Sequence, residues 1–423
     1  MGVREDGEAM IKVLYLSGYK WGNMGRRKVR LAYEFARRPQ VDSLLYVEPP
    51  VQTSILDLAR GRFEPGHLGA NRRAHRDALL SRIRQVDDKV WVLTGSEKTV
   101  PLTRFKVVWQ WDVLRQLNQA LYVGGIRRAL KQLPGDRLLL WLTYPTQAFA
   151  LDTFRDRVLA CYDWTDDWAA FEVLPVEDPQ KLIALNERIL REVDIVFAVS
   201  EELTRRAMLA NRHTCRAPNA TDPQLLEAAR GEGPVAKELR GLPSPVIGYI
   251  GQIADKIDYD LLSVVSQARP DWSFVFVGPV WYTKQALVEA LDIHPNVHFL
   301  GPRPYRELPA YLRGFDVCIL PHLCNALTRS MDPIKLYDYL ASGKPIVSTE
   351  VAGIERFADV VYVGNTAQEF LAALVRAVQE NGALRERRLA YARQNTWLQR
   401  AAEMWDVVIG KLENREAGRL RDA

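Results

Sequence analysis

The chain has 423 residues, more than one ordinary core holds and enough for two domains of roughly 150–250 residues each. Hydrophobic residues make up 48% and charged residues 26%, which argues against a mainly disordered, collagenous or membrane-spanning chain. The net charge of +5 hides a division: residues 1–150 hold roughly 25 basic and 14 acidic side chains, about +11, and the remainder balances at about −6.

A one-sided basic half points to an anionic partner: nucleic acid, a membrane surface or a phosphorylated substrate. The acidic, polar start MGVREDGEAM lacks the basic-then-apolar pattern of a secretory signal. No run approaches the ~18 apolar residues of a transmembrane helix. The expected place is the cytosol, peripherally on the inner face of the cell membrane. The cysteines Cys161, Cys215, Cys318 and Cys324 are scattered, without a CxxC pair, and no HExxH occurs. Neither a disulfide framework nor a metal site is expected.

Along the chain, short apolar runs alternate with stretches of helical period, the pattern of parallel sheets covered by helices. IKVLYLS (11–17) reads as a buried strand and leads through GYKWGNMGRRK into a helix. LLYVEPP (44–50), KVWVLTG (89–95), RLLLWLT (137–143), VLACYD (158–163) and DIVFAVS (194–200) read as further strands. A Gly-, Pro- and charge-rich stretch follows and ends the first unit. The rhythm restarts with VIGYIG (246–251), SFVFVG (273–278), VHFLG (297–301), VCILP (317–321), PIVST (345–349) and VVYVG (360–364). The expected organisation is an N-terminal Rossmann-like acceptor domain at 1–225, a linker at 226–245, a C-terminal Rossmann-like donor domain at 246–395, and a helix at 396–423 packing back toward the first domain. Two doubly wound domains imply a cleft whose chemistry lies beyond the carboxyl ends of strands.

In the second half, Gly248 and Gly251 flank a strand end where glycine lets a phosphate or sugar approach the backbone. An ordinary strand–loop junction fits them equally. Neither GxGxxG nor a Walker A sequence occurs. The segment LPHLCNALTRSMDPIKLYDYLASGKPIVST (320–349) carries more. Pro333 falls near the first helical position, and the helix start offers free N–H groups and partial positive charge to an anion. Lys335 and Asp338, three apart, share a face. Lysine suits a phosphate, and aspartate suits two vicinal hydroxyls. A capped surface helix with an i,i+3 ion pair is the alternative, and the residues alone weigh the two alike.

PIKLYDYLASGKPIVST resembles the donor-binding segment of GT-B fold glycosyltransferases of the family 4-like kind. IGYIGQIADKIDYDLL, WSFVFVGP and NVHFLGPRPYRELPAYLRGFDVCILP resemble their counterparts. KWGNMGRRKVRLAYEFA, YVEPP and CYDWTDDW are similar to the teichuronic acid-type subgroup, so the resemblance covers roughly residues 10–400. It implies a GT-B fold, α/β, with two Rossmann-like domains facing a cleft. It implies transfer of a sugar from a UDP-, GDP- or TDP-sugar to a glycan or lipid-linked acceptor in bacterial surface polysaccharide synthesis, with retention, without metal and without a tightly bound cofactor. Asp338 would bind the donor ribose. Lys335, Ser330, Thr328 and nearby amides would hold the pyrophosphate, Gly251 and Gln252 would let it approach, and Arg303 and Tyr305 would meet the base. Lys256 would reach the phosphates. Three departures stand out. Ser330 occupies the place of the first carboxylate of an E-x7-E pair, with Asp332 nearby. Gln252 occupies an arginine position, with Lys256 one residue short of the lysine position. Thr143-Tyr144-Pro145 replaces a strand-end histidine.

In the first half, Asp163, Asp166 and Asp167 follow a strand end, where a carboxylate can bind acceptor hydroxyls or act as general base. Capping the next segment is the alternative. Arg26 and Arg27, with Lys28, suit donor phosphates or an anionic acceptor, as does Tyr144. A solvated basic face is the alternative. Trp109 and Trp111 read as core or as a membrane-interface anchor. The basic stretch 59–84 fits an anionic membrane or lipid diphosphate better than nucleic acid, since no recognition motif accompanies it. Two rival functions remain: a GT-B-like sugar-nucleotide epimerase, which needs no acceptor, and a nucleotide-sugar binding protein without turnover.

Overall fold

The computed structural model describes residues 10–22, 25–54, 83–99, 108–170, 178–231, 233–281 and 284–421. It is α/β with two sheets. The basic stretch is therefore described only from Ile83 onward, and the side chains of Trp109 and Trp111 lie outside the described residues.

The first sheet has eight strands: β1 (Ile11–Leu16), β2 (Val41–Ser54), β3 (Ile83–Asp87), β4 (Val90–Thr99), β5 (Arg137–Leu142), β6 (Leu159–Trp164), β7 (Ile195–Ala198) and β8 (Thr214–Arg216). Their order is β3-β4-β2-β1-β5-β6-β7-β8. The pairs β1–β2, β1–β5, β2–β4 and β5–β6 are parallel, whereas β3 runs antiparallel to β4. The six apolar runs are all strands; β3 and β8 are additions. The residues of β3, IRQVD, are mostly polar and partly exposed, and β8 has only three residues, so neither carries an apolar run. The sheet's centre is aromatic. Tyr15 stacks on Tyr46 at 5.5 Å and on Trp141 at 6.0 Å, because β1 places Tyr15 opposite both.

The second sheet has six strands: β9 (Val246–Ile250), β10 (Ser273–Val277), β11 (Val297–Gly301), β12 (Val317–Leu320), β13 (Ile346–Ser348) and β14 (Val361–Val363). Their order is β11-β10-β9-β12-β13-β14 and every pair is parallel. Side chains alternate between its two faces. Ile247, Tyr249, Phe274, Phe276, Val317 and Ile319 enter one apolar cluster. Val246, Val275, Val277, Cys318 and Leu320 enter the other. Gly248 lies where a Cβ would sit 2.1 Å from the Phe315 ring, so it serves packing rather than a ligand. The strand order reverses between β9 and β12, the switch point at which ligands bind in open α/β sheets.

By internal contacts the chain forms two compact units. One comprises Met1–Trp164, Gln180–Val196 and Val407–Ala423; the other comprises Thr165–Pro179 and Phe197–Asp406. In the first, Arg415 of the helix Trp397–Arg421 pairs with Asp194 at 2.7 Å. Among the described residues no helix is long and apolar enough to cross a membrane.

Candidate functional site

The donor candidates of the second unit gather at the carboxyl ends of β9 and β12. The helix Ile334–Ser342 starts there. Pro333 is its N-cap (φ −68°) rather than its first residue, and Gly343 closes it in the left-handed conformation (φ +70°). Tyr337, Leu340 and Ala341 bury one side in the core. Lys335 and Asp338 are half-buried.

The Lys335 ammonium donates to the Tyr249 hydroxyl at 2.8 Å and lies 4.6 Å from the centre of its ring. It covers Gly251, where a Cβ would stand 2.8 Å from Nζ. Gly251 has φ +139° and Gly278 has φ +154°. A Cβ on Gly278 would lie 1.9 Å from the Gly251 carbonyl oxygen. The two glycines therefore let the turns after β9 and β10 touch. Gln252 lends its carbonyl to the Tyr249 hydroxyl at 3.0 Å. Asp338 accepts from the Thr221 hydroxyl at 2.9 Å.

His322, just past β12, is buried, and its Nε2 has no hydrogen-bond partner. Its ring stands edge-on to Tyr249 at 6.3 Å. Burial, then the charges of Lys335 and Lys256, push its pKa well below the ordinary value, so it is a neutral imidazole beside two ammonium groups. The Lys256 carbonyl accepts from Leu323 N at 2.8 Å, which ties its turn to the segment after β12.

The other donor candidates have local work. Thr328 is buried and closes a capping box with Asn325. The Ser330 hydroxyl donates to the Leu327 carbonyl at 2.8 Å, and its own carbonyl accepts from the Ser200 hydroxyl at 2.7 Å. Asp332, near the expected carboxylate position, is buried. It accepts from Tyr337 at 2.8 Å and from the Asn219 amide at 2.6 Å, and it pairs with Arg356. Arg303 donates to the Tyr311 hydroxyl at 2.7 Å and pairs with Glu238 at 3.1 Å. Tyr305 is half-buried against the core. A cavity of about 650 Å³ is lined by Asp167, Arg206, Arg329, Ser330, Asp332 and Gly353, among others. Asp167 is held there by Arg206, and Asp166 accepts from the Thr165 hydroxyl at 2.7 Å.

In the first unit, Arg27 and Asp163 meet each other. The guanidinium donates to both carboxylate oxygens, at 3.1 Å from Nε and at 2.7 Å from Nη2. Arg27 is 4% exposed and Asp163 0%, so this is a buried fork-on-fork pair and neither group presents itself to solvent. Lys28 is buried and donates to the Thr143 carbonyl at 3.0 Å. Arg26 lies over the Tyr19 ring at 5.0 Å. Tyr144 begins the turn closed by Gln147, whose side-chain oxygen accepts from the Thr143 and Tyr144 amides at 2.7 and 3.0 Å.

Three residues of these constellations escaped the sequence reading. Tyr249 and His322 belong to it by position, since each is polar and lies in or just past a strand flanking the switch point. Glu48 is the third. It is buried in the YVEPP run, accepts from the Trp21 amide at 2.9 Å and pairs with Arg84 at 3.0 Å. Its signal was a carboxylate inside an otherwise apolar strand.

The family model described as glycosyl transferases group 1 matches residues 244–380. TuaH of Bacillus subtilis (strain 168), named as a candidate teichuronic acid biosynthesis glycosyltransferase, is 27% identical over 414 residues, covering 93% of this chain and 96% of its own. The chain is a GT-B glycosyltransferase. Solved structures agree on the fold of this glycosyltransferase. Sucrose-phosphate synthase of Thermosynechococcus elongatus superposes with a TM-score of 0.65 at 12% identity, over 95% of this chain and 99% of that one. HepE of Anabaena, solved with UDP and glucose, gives 0.58 at 16% identity, over 95% and 99%. The matched segment of the glycosyltransferase runs from just before β9 to just past the helix Ala367–Val378 that follows β14, and so contains Gly251, Lys335 and Asp338.

Proposed function

We propose that this glycosyltransferase moves a sugar from a nucleoside diphosphate sugar, bound in its 246–395 region, to an acceptor glycan of surface polysaccharide synthesis. Residues 1–225 take the acceptor in this reading, and the enzyme works at the inner membrane face. The observation that carries it is the Lys335 ammonium held over the Gly251 turn at the β9/β12 switch point. Positive charge there, with the start of the helix Ile334–Ser342, suits a departing diphosphate. HepE, of the same fold, is solved with UDP, and a UDP-sugar is the first donor to try.

The bond from the anomeric carbon to the diphosphate oxygen breaks. The acceptor hydroxyl oxygen takes that place and gives up its proton to Asp166 or Asp167, acting as general base. Lys335 and Lys256 receive the developing phosphate charge, so no metal is needed. Asp338 takes the ribose hydroxyls and exchanges its Thr221 partner for them. Arg303 and Tyr305 flank the base, and Thr328 and Ser330 shape the turn beside the phosphates. Among the carboxylates proposed for acceptor work, Asp166 and Asp167 are half-buried and within reach of solvent. Asp163, locked to Arg27, acts by holding the end of β6 in place. Arg26 and Tyr144 meet an anionic acceptor. The product keeps the anomeric configuration of the donor.

A thermal-shift screen with UDP, GDP, TDP and ADP tests the donor site, since a ligand that binds only the native state stabilises it. One diphosphate should raise the melting temperature, and Lys335→Ala and Asp338→Ala should each remove the shift. Unchanged nucleotide affinity in both variants refutes the site. Incubation with the sugar nucleotide should give product only when acceptor is added. Epimerised donor without acceptor would mark the enzyme as an epimerase instead.

A further inference from the structure

Lys335 has a long, flexible stem, yet its ammonium has a defined seat. Tyr249 provides it. The hydroxyl accepts from Nζ at 2.8 Å and the ring centroid lies 4.6 Å from it, so one side chain holds the cation by a hydrogen bond, with the aromatic ring within cation–π range. The same hydroxyl donates its proton to the Gln252 carbonyl at 3.0 Å, in the turn that Gly251 begins. Donor and acceptor directions are thereby fixed: the proton points to Gln252, the lone pair to Lys335. Burial raises the Tyr249 pKa far above its ordinary value, so the phenol keeps that proton at every working pH.

Tyr249 is itself immobilised. It is fully buried in β9, its ring 6.0 Å from Phe276 and edge-on to His322. The neutral His322 brings no competing charge to the seat. The ammonium ends above a glycine whose missing Cβ leaves it room: a Cβ there would stand 2.6 Å from Lys335 Cε. This arrangement links Tyr249, Gln252, Gly251 and Lys335 in one chain of contacts.

We propose that Tyr249 is a positioning residue for sugar transfer, which seats the Lys335 ammonium over the Gly251 turn where the donor's diphosphate is received. This rests on the donor site proposed above. Tyr249 does not touch the reacting atoms; it fixes a cation that meets the leaving group, and fixed charge stabilises a developing anion better than charge that must reorganise.

Affinities for UDP, UMP and uridine, measured by calorimetry on the full chain, test this with Tyr249→Phe, Lys335→Ala and the double variant. Tyr249→Phe keeps the ring and removes the hydroxyl. It should weaken UDP about tenfold, leave uridine unchanged, and add nothing in the Lys335→Ala background. A merely structural role would weaken UDP and uridine alike. That outcome, or additive losses in the double variant, overturns the proposal. Lys335→Ala with undiminished UDP affinity overturns the donor site itself, and this assignment with it.

Discussion

His322 shows how a residue's environment decides what its side chain can do. An exposed histidine titrates near pH 6.5. Buried beside Lys335 and Lys256, this one has its pKa lowered well below that value. The unfolded chain therefore binds a proton that the native chain refuses. Stability contributed by the neutral imidazole is complete above the unfolded pKa and falls as pH drops below it. Urea unfolding at pH 7 and at pH 5.5 should show the wild type losing more stability on acidification than His322→Asn, by up to about 1.4 kcal/mol per pH unit. Parallel losses would show that His322 takes its proton in the native state. The pair Arg27–Asp163 teaches the converse. Each residue, read alone, looked like a group facing a ligand. Together, 136 positions apart in sequence, they neutralise each other inside the first unit. Nothing in either local sequence announces such a partner.

At the scale of elements, the helix Ile334–Ser342 was legible because its signals are local. A proline marks its start, Lys335 and Asp338 lie one turn apart, and Gly343 marks its end. The seat of Lys335 was not legible, because Tyr249 is 86 residues away and reads as one more apolar position of a buried strand. The edge strand β3 was missed for a related reason: its ladder partner, not its composition, makes it a strand. Two glycines at element ends separate stability from function. Gly343→Ala strains a left-handed C-cap and meets Arg385 Cγ at 2.9 Å, far from the start of the helix. It should cost about 1 kcal/mol of stability and leave nucleotide affinity unchanged. Gly278→Ala drives a Cβ to 1.9 Å from the Gly251 carbonyl oxygen, which no side-chain motion relieves. The turn under Lys335 must then shift. Denaturation midpoints and nucleotide titrations on both variants should show stability lost in each and affinity lost only in Gly278→Ala. Intact affinity in Gly278→Ala would show that the Gly251 turn does not receive the donor.

At the scale of the molecule, two sheets of eight and six strands confirm the reading of two Rossmann-like halves, and the proposed membrane setting makes the charge division testable. The excess of about +11 lies in residues 1–150, while the matched segment 244–380 carries the donor candidates. A membrane bearing anionic lipid attracts such a half without any spanning helix, each cation near the surface contributing about 1 kcal/mol. That attraction acts over a Debye length of about 10 Å at 0.1 M salt, so it must weaken as salt rises. The full chain should sediment with phosphatidylglycerol-containing vesicles at about 50 mM salt and be released at about 0.5 M, while pure phosphatidylcholine vesicles leave it in solution. Apolar insertion would instead persist at high salt, because burial of hydrocarbon is not screened. Equal binding to both vesicle types, or none to either, would overturn the proposed membrane setting and leave the basic half to an anionic acceptor alone.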